Sequence, residues 1–267
     1  MLKDITLGQY FPGDSIVHKL DPRTKLILVI VYIVALFQAT NFLSYAIMAA
    51  VTVGIIALSK VPPKSMLRGL KPIVIIIVLT AVLNIFYTEG TPLVTIWKLT
   101  ITVEGIIKAF FMVIRIVMLI CGTFLLTYTT APVALTDGLE LLLNPLKKLK
   151  VPVHEMSMMM SMALRFIPTL IEETDKIISA QKARGADFET GSLIDRAKAL
   201  LPILVPLFVS AFRRADELAV AMESRCYHGG EGRTRMKKLK YETRDYIALF
   251  LGLVLVAGMI VLRVMGL

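Results

Sequence analysis

Two arginines sit among neighbours that suit them to grip a carboxylate. One lies in Ala183-Arg184-Gly185 and the other in Ser224-Arg225-Cys226, each closing a long stretch of helical periodicity. Small flanking residues leave room around a guanidinium, whose planar fork binds a carboxylate through two parallel hydrogen bonds. The bland use of the same residues is structural: a cation at a helix C-terminus complements the backbone dipole for a fraction of a kcal/mol. Spacing alone supports both uses. Two such forks on one basic region would suit a symmetric or pseudo-symmetric acidic partner.

Other reactive groups are sparse. Arg115 falls near the middle of an apolar stretch, where a buried charge is expensive and faces protein or water. It cannot release its proton at physiological pH, so pairing with backbone carbonyls or another subunit fits it better than a proton relay. Asp137 and Glu140 could begin a metal site, but no third ligand stands at helical spacing, and His154 and His228 are isolated in sequence. No metal and no cofactor is therefore expected in this chain. No Gly-rich loop ending in Lys-Ser or Lys-Thr occurs, so any nucleotide energy must be bound by another chain. Met156, Met158, Met159, Met160 and Met162 crowd one stretch. Ordinary packing would account for them. A surface that several partners share is the sharper reading, since Met refits at low strain.

These residues must be carried by a membrane protein. Mean hydropathy is +0.73 and 56% of residues are hydrophobic, yet the formal net charge is +10. Apolar stretches at about 26–37, 45–58, 72–87, 105–128 and 246–264 predict five transmembrane helices, one all-α integral membrane protein. Asp21 is placed to cap the first helix and Pro22 to begin it. Ala46, Ala50 and Gly54 form a small-residue stripe that predicts close helix approach. Lys60, Lys64, Arg68 and Lys71 predict a basic loop, with Pro62-Pro63 as a breaker, and Trp97 an interfacial anchor. Basic and neutral loops alternate, so the positive-inside rule places the N-terminus and 129–245 in the cytosol and the C-terminus outside.

The predicted organisation is 1–130 with four spans, 131–245 as a cytosolic insert of amphipathic helices, and 246–267 as the last span. Within the insert, Thr136-Asp137 should cap a short helix. Pro152 should start a long one, kinked at Pro168 and stopped at Gly185. Ser192 with Asp195 reads as a capping box. Pro202 and Pro206 should break the following helix, and Arg213 should pair with Glu217 across one turn.

Several short segments together make the chain resemble the transmembrane T component of energy-coupling-factor (ECF) transporters, relatives of the ABC importers. They are Leu20-Asp21-Pro22-Arg23-Thr24-Lys25, Leu164-Arg165-Phe166-Ile167-Pro168, Ala183-Arg184-Gly185, and Glu223-Ser224-Arg225-Cys226-Tyr227 followed by Gly229-Gly230-Glu231-Gly232-Arg233-Thr234. The likeness covers nearly the whole chain. It implies a non-catalytic scaffold in a prokaryotic cell membrane that couples two cytosolic ATPase subunits, which bind ATP and Mg, to a substrate-binding membrane S component. It implies that Ala183, Arg184, Gly185, Ser224, Arg225 and Cys226 form the ATPase-docking ends of coupling helices. Cys226 departs from the family's frequent glycine and leaves the local turn open. The five methionines become candidates for S-component contact. Vitamins or other micronutrients become the expected cargo, with a module dedicated to one substrate such as a transition-metal ion as the alternative.

Two other classes compete. A secondary transporter needs ionisable groups or broken helices at mid-membrane, which are scarce here. A membrane enzyme needs paired acids or a His cluster near the cytosolic face, and the sequence offers neither. No nucleic acid is expected as a partner.

Overall fold

A computed structural model describes residues 10–96, 99–186, 188, 192–229 and 238–265. The chain forms two compact units, a membrane unit (Gly8–Leu139 with Leu239–Leu267) and an insert unit that includes Glu140–Lys238. The fold is all-α and membrane-spanning, with one small exception described below.

The membrane unit begins with α1 (Pro22–Gln38), opened as the sequence predicts: Pro22 takes the first turn and the Asp21 side chain accepts from the Arg23 amide. Then come α2 (Phe42–Ser59), α3 (Pro63–Leu70), a 3-10 turn (Lys71–Ile73), α4 (Val74–Tyr87) and α5 (Val103–Thr129). Helix α6 (Pro132–Leu143) leaves the unit, and α10 (Thr243–Val264) completes it. Among the described residues, four helices are long and apolar enough to cross a membrane: Phe42–Ser59, the run Pro63–Tyr87, Val103–Thr129 and Thr243–Val264. Helix α1 has 17 residues, about 26 Å of helix, at the lower edge of what a hydrocarbon core of roughly 30 Å requires.

The unit is apolar both in its core and over its outer surface. Tyr32, Leu36, Tyr45, Met48, Met118 and Met259 bring α1, α2, α5 and α10 into one buried cluster. A second cluster joins α3, α4 and α5 through Met66, Leu70, Ile77, Ile120 and Leu125. Outside them, Ile75, Phe250 and Leu253 stand exposed, as suits side chains facing lipid. Tyr32 binds the core together: its hydroxyl lies 2.7 Å from Thr52 Oγ1 and donates to the Met118 carbonyl at 3.1 Å. Gly122 makes room for that ring, because a Cβ there would come within 2.5 Å of Tyr32.

Several expectations need correction. The basic segment Lys60–Lys71 is not a loop beyond Val61-Pro62. Pro63 starts a helix instead of breaking one, since its missing N–H is unneeded in a first turn. Met66 and Leu70 then bury one side of α3 while Arg68 stays exposed. The stripe Ala46, Ala50 and Gly54 packs against no helix among the described residues of this chain: all three are exposed, and the buried face of α2 is Ser44, Tyr45, Met48 and Thr52. Between α4 and α5, β1 (Pro92–Ile96) and β2 (Leu99–Thr102) pair antiparallel in a short hairpin. Trp97 lies outside the described residues.

Arg115 finds a carbonyl. Its Nη2 donates to Ala39 O at 2.8 Å, and its guanidinium lies 5.7 Å from the Phe37 ring centre and 5.5 Å from that of Tyr45. The cation thus complements the C-terminal end of α1 and is shielded by two aromatic faces.

The insert unit holds three helices, α7, α8 and α9, among its described residues. Helix α7 (Val153–Ala183) runs through Pro168, α8 (Leu193–Ala199) follows, and α9 (Leu201–Glu223) packs against α7. Ser192 and Asp195 exchange bonds as a capping box should. Three further corrections apply. Helix α6 starts at Pro132, so Thr136 and Asp137 lie inside it. His154 is not isolated, since its Nδ1 sits 2.9 Å from Glu140 Oε1. The helix opened by Ser192 does end before Pro202, at Ala199, but Pro206 does not break α9. Pro202 occupies its first turn, and Pro206 leaves the Pro202 carbonyl without its helical donor. The Gln181 side-chain amide of α7 donates to that carbonyl at 3.3 Å, which lets the helix continue.

Candidate functional site

Helix α7 ends in a turn defined by four consecutive residues. Arg184 is the C-cap, and Gly185 after it has φ +88, in the left-handed region. The Gly185 N–H donates to Lys182 O at 3.0 Å and the Ala186 N–H reaches back to Gln181 O at 3.0 Å. This pair of bonds is the Schellman closure, which satisfies carbonyls that a helix end leaves open.

Helix α9 ends in the same way. Cys226 has φ 57. Its N–H donates to Glu223 O at 2.9 Å, and the Tyr227 N–H reaches Met222 O at 3.1 Å. Register for register, Arg225 stands where Arg184 stands, and Cys226 where Gly185 stands. The turn left open by the missing glycine is therefore formed regardless. A side chain in the left-handed region costs about 1–2 kcal/mol, and the two closing bonds offset it. The sequence held a signal for this that spacing arguments overlooked: small-Arg-x followed by a residue able to turn back onto the last helical carbonyls.

Both arginines are exposed, as are Ala183, Gly185, Ser224 and Cys226. A Cβ built on Gly185 would meet nothing within 4 Å. Among the described residues, neither guanidinium has an ion-pair partner. Each guanidinium is thus exposed beside a hydrogen-bonded helix end, a geometry suited to receiving a carboxylate from another molecule.

Behind the second turn, α7 and α9 enclose a groove of about 470 Å³ lined by Met162, Phe166, Leu218, Ala219, Met222 and Tyr227, among others. Met162 is absorbed by this groove, whereas Met156, Met159 and Met160 are exposed, at 47%, 60% and 45%; Met158 is partly buried. The methionine stretch is therefore divided between packing and surface. Helix α9 adds an exposed apolar face of Leu204, Val205, Phe208, Val209 and Phe212.

The two helices are tied by Arg214, whose Nη2 donates to Glu173 Oε2 at 2.8 Å; the expected pairing was Arg213 with Glu217. Hydrogen bonding from Ser210, and then the nearby Arg214 charge, hold the Glu173 carboxyl below the usual carboxylate range. A lowered carboxylate contributes stability that is present above its ordinary pKa and lost as pH falls through the folded value. The Glu173–Arg214 tie is expected to hold at neutral pH and to be lost as the carboxyl protonates below about pH 4, a small effect for a pair this exposed. Amide exchange of the α7 and α9 peptides between pH 6 and pH 3 would show it, and Glu173→Gln should flatten that dependence. Unchanged behaviour in the Gln variant would assign the acid sensitivity elsewhere.

Among the described residues, no group of three His, Cys, Asp or Glu is arranged to hold a metal ion. Asp187 and residues 230–234 of the motifs lie outside the described residues.

Over residues 13–236 the sequence matches the family described as cobalt transport protein, CbiQ. It is 58% identical over 266 residues to the energy-coupling factor transporter transmembrane protein EcfT of Clostridium kluyveri, covering 99% of this chain and 98% of that one. Identity to the protein of the same name from Thermosediminibacter oceani is 54% over 262 residues, with coverage of 98% and 99%. For Bacillus subtilis the figures are 49% over 264 residues, with coverage of 98% and 100%.

Proposed function

The chain belongs to the family of transmembrane components of energy-coupling factor transporters, and from that premise we propose that its two cap arginines dock two cytosolic ATPase subunits. The observation that carries this reading is the repeated turn. Arg184 and Arg225 occupy the same position of the same Schellman closure, both exposed, at the ends of two packed helices. A pair of like ATPase subunits would offer two like acidic grooves to such a pair of forks. Those subunits bind ATP and Mg, and this chain contributes no catalytic group.

Helices α7 and α9 pass the motion of the ATPase pair to the membrane helices and to a substrate-binding S component. The exposed Met156, Met159 and Met160 and the apolar face of α9 offer that component an adaptable surface, which several S components could share in turn. The orientation follows from charge: α3, the insert unit and the N-terminus on the cytosolic side, the β1–β2 hairpin and the C-terminus outside, with α1 as a fifth span. The cargo is a vitamin or similar micronutrient. A module dedicated to a transition-metal ion is the second reading, favoured by the family description of a cobalt transport protein.

Affinity purification of this chain from native membranes tests the proposal. ATPase subunits and one or more small membrane proteins are expected to come down with it. Recovery of the chain free of any ATPase would refute the docking role. Several different small membrane proteins in the eluate would favour the shared module, and a single one the dedicated module. Thiol labelling of single cysteines checks the orientation: Thr91→Cys should react from outside and Ser192→Cys should not.

A further inference from the structure

Among the described residues, the chain passes between its two units twice, after Leu139 and again at Leu239. Both passages are held within the membrane unit by one short segment, Asp21-Pro22-Arg23-Thr24-Lys25. On the outgoing side, Lys25 Nζ donates to Thr129 O at 2.8 Å and Thr130 Oγ1 at 3.2 Å, where α5 hands the chain to α6. Helix α6 then lies so close that a Cβ on Gly138 would meet Pro22 Cβ at 2.9 Å. On the returning side, the Arg23 guanidinium stacks over the Tyr241 ring at 3.9 Å. The Asp21 N–H donates to Asp245 Oδ1 at 2.8 Å, in the first turn of α10.

The segment is rigid in itself. Arg23 grips Asp21 through Nε at 3.0 Å and Nη2 at 2.9 Å. Asp245 is 1% exposed, and its second oxygen accepts from the Glu242 N–H at 2.8 Å. Lys25 is 5% exposed and spends its third proton on His18 O at 3.2 Å. Buried charges so fully satisfied hold one geometry, because any displacement leaves a charge or carbonyl unpaired in a low-dielectric setting. A joint meant only to anchor α1 would not need to touch the chain on both sides of the insert. Motion in the insert unit reaches the membrane helices along the covalent chain at these two places, and both are fixed to the start of α1.

We propose that Asp21–Lys25 is a clasp on both crossings and the positioning element through which nucleotide-driven motion of the insert unit enters α1 and α10. The inference rests on the coupling function proposed above. A loosened clasp would leave the ATPases bound and cycling while the membrane helices no longer follow them.

The test uses the complex of this chain with its co-purified ATPase subunits in nanodiscs, with and without the ATP analogue AMP-PNP. Hydrogen exchange is read in peptides of 140–229 and, separately, of α1 and α10. In the wild type, AMP-PNP is expected to change exchange in both sets. Arg23→Gln with Tyr241→Leu loosens the returning crossing, and Gly138→Ala displaces the outgoing one; each should keep the response in 140–229. The response in α1 and α10 should fall by about fivefold or more. An undiminished response there in both variants would overturn the clasp. So would a loss of protection throughout the membrane unit without nucleotide in both, which marks the segment as structural support alone. The variants act on opposite crossings, so a folding defect in one leaves the other to decide. A wild-type chain that carries no ATPase would sink the docking reading and this inference together, an outcome distinct from bound ATPases with full transmission.

Discussion

Arg184→Glu combined with Arg225→Glu is expected to strip the ATPase subunits from the chain while the membrane unit stays folded. Each arginine is exposed in the closing turn of its helix, so neither supports the fold through contacts of its own. Placing a carboxylate at a helix C-terminus costs roughly 0.3–1 kcal/mol through the dipole, too little to unfold α7 or α9. Against an acidic groove the change is far larger. Losing a desolvated charge pair at an interface costs about 2–5 kcal/mol, and reversal adds repulsion. Two such losses exceed what a moderate complex can absorb, so co-purification should fall below detection. Either single reversal should weaken recruitment less than the pair does. Retention of both ATPases by the double variant would return the arginines to dipole capping. The turns themselves give a control. Gly185→Ala forces a Cβ at φ +88 and should weaken docking by misplacing Arg184. Cys226→Gly removes a side chain from φ 57 and should leave docking intact, with a gain in helix stability of up to about 1 kcal/mol.

Lys25→Met should destabilise the membrane unit more than any conservative surface change. The two side chains are of similar length, so packing is largely kept and the loss is electrostatic. Thr129 O would lose its donor at 2.8 Å, and an unsatisfied buried carbonyl costs about 1–3 kcal/mol. Asp21 and Asp245, 7% and 1% exposed, would lose a nearby buried cation. Breaking a buried charge arrangement from one side costs about 3–5 kcal/mol. A loss near the lower figure corresponds to a fall of roughly 6–12 °C in the melting midpoint of a chain this size. Thermal unfolding in detergent, followed by tryptophan-independent far-UV circular dichroism, measures it. A shift smaller than about 2 °C would mean that water replaces the amine and that the site is not dry.

What the sequence determined by itself is local. Pro22 after Asp21 starts α1, Ser192 with Asp195 starts α8, and Gly185 ends α7, because a cap is chemistry between residues a few positions apart. Long apolar runs determined membrane insertion, because a bilayer demands length and apolarity before any partner is chosen. The arginine motifs were legible on the same footing, as small-Arg-small segments at the ends of periodic stretches.

Tertiary structure decided what depended on distant chain. The buried face of α2 is Tyr45, Met48 and Thr52, while Ala46, Ala50 and Gly54 face away; in a membrane both faces are apolar, so periodicity cannot choose between them. Pro206 stays inside a continuous helix because Gln181, on another helix, supplies the missing donor. Arg115 is tolerated because Ala39 O and two rings surround it. Asp21 meets Asp245 across 224 positions of sequence. Local patterns fix where a helix begins and ends; which face it buries, and which charge it is permitted to bury, is set by the neighbours that folding brings to it.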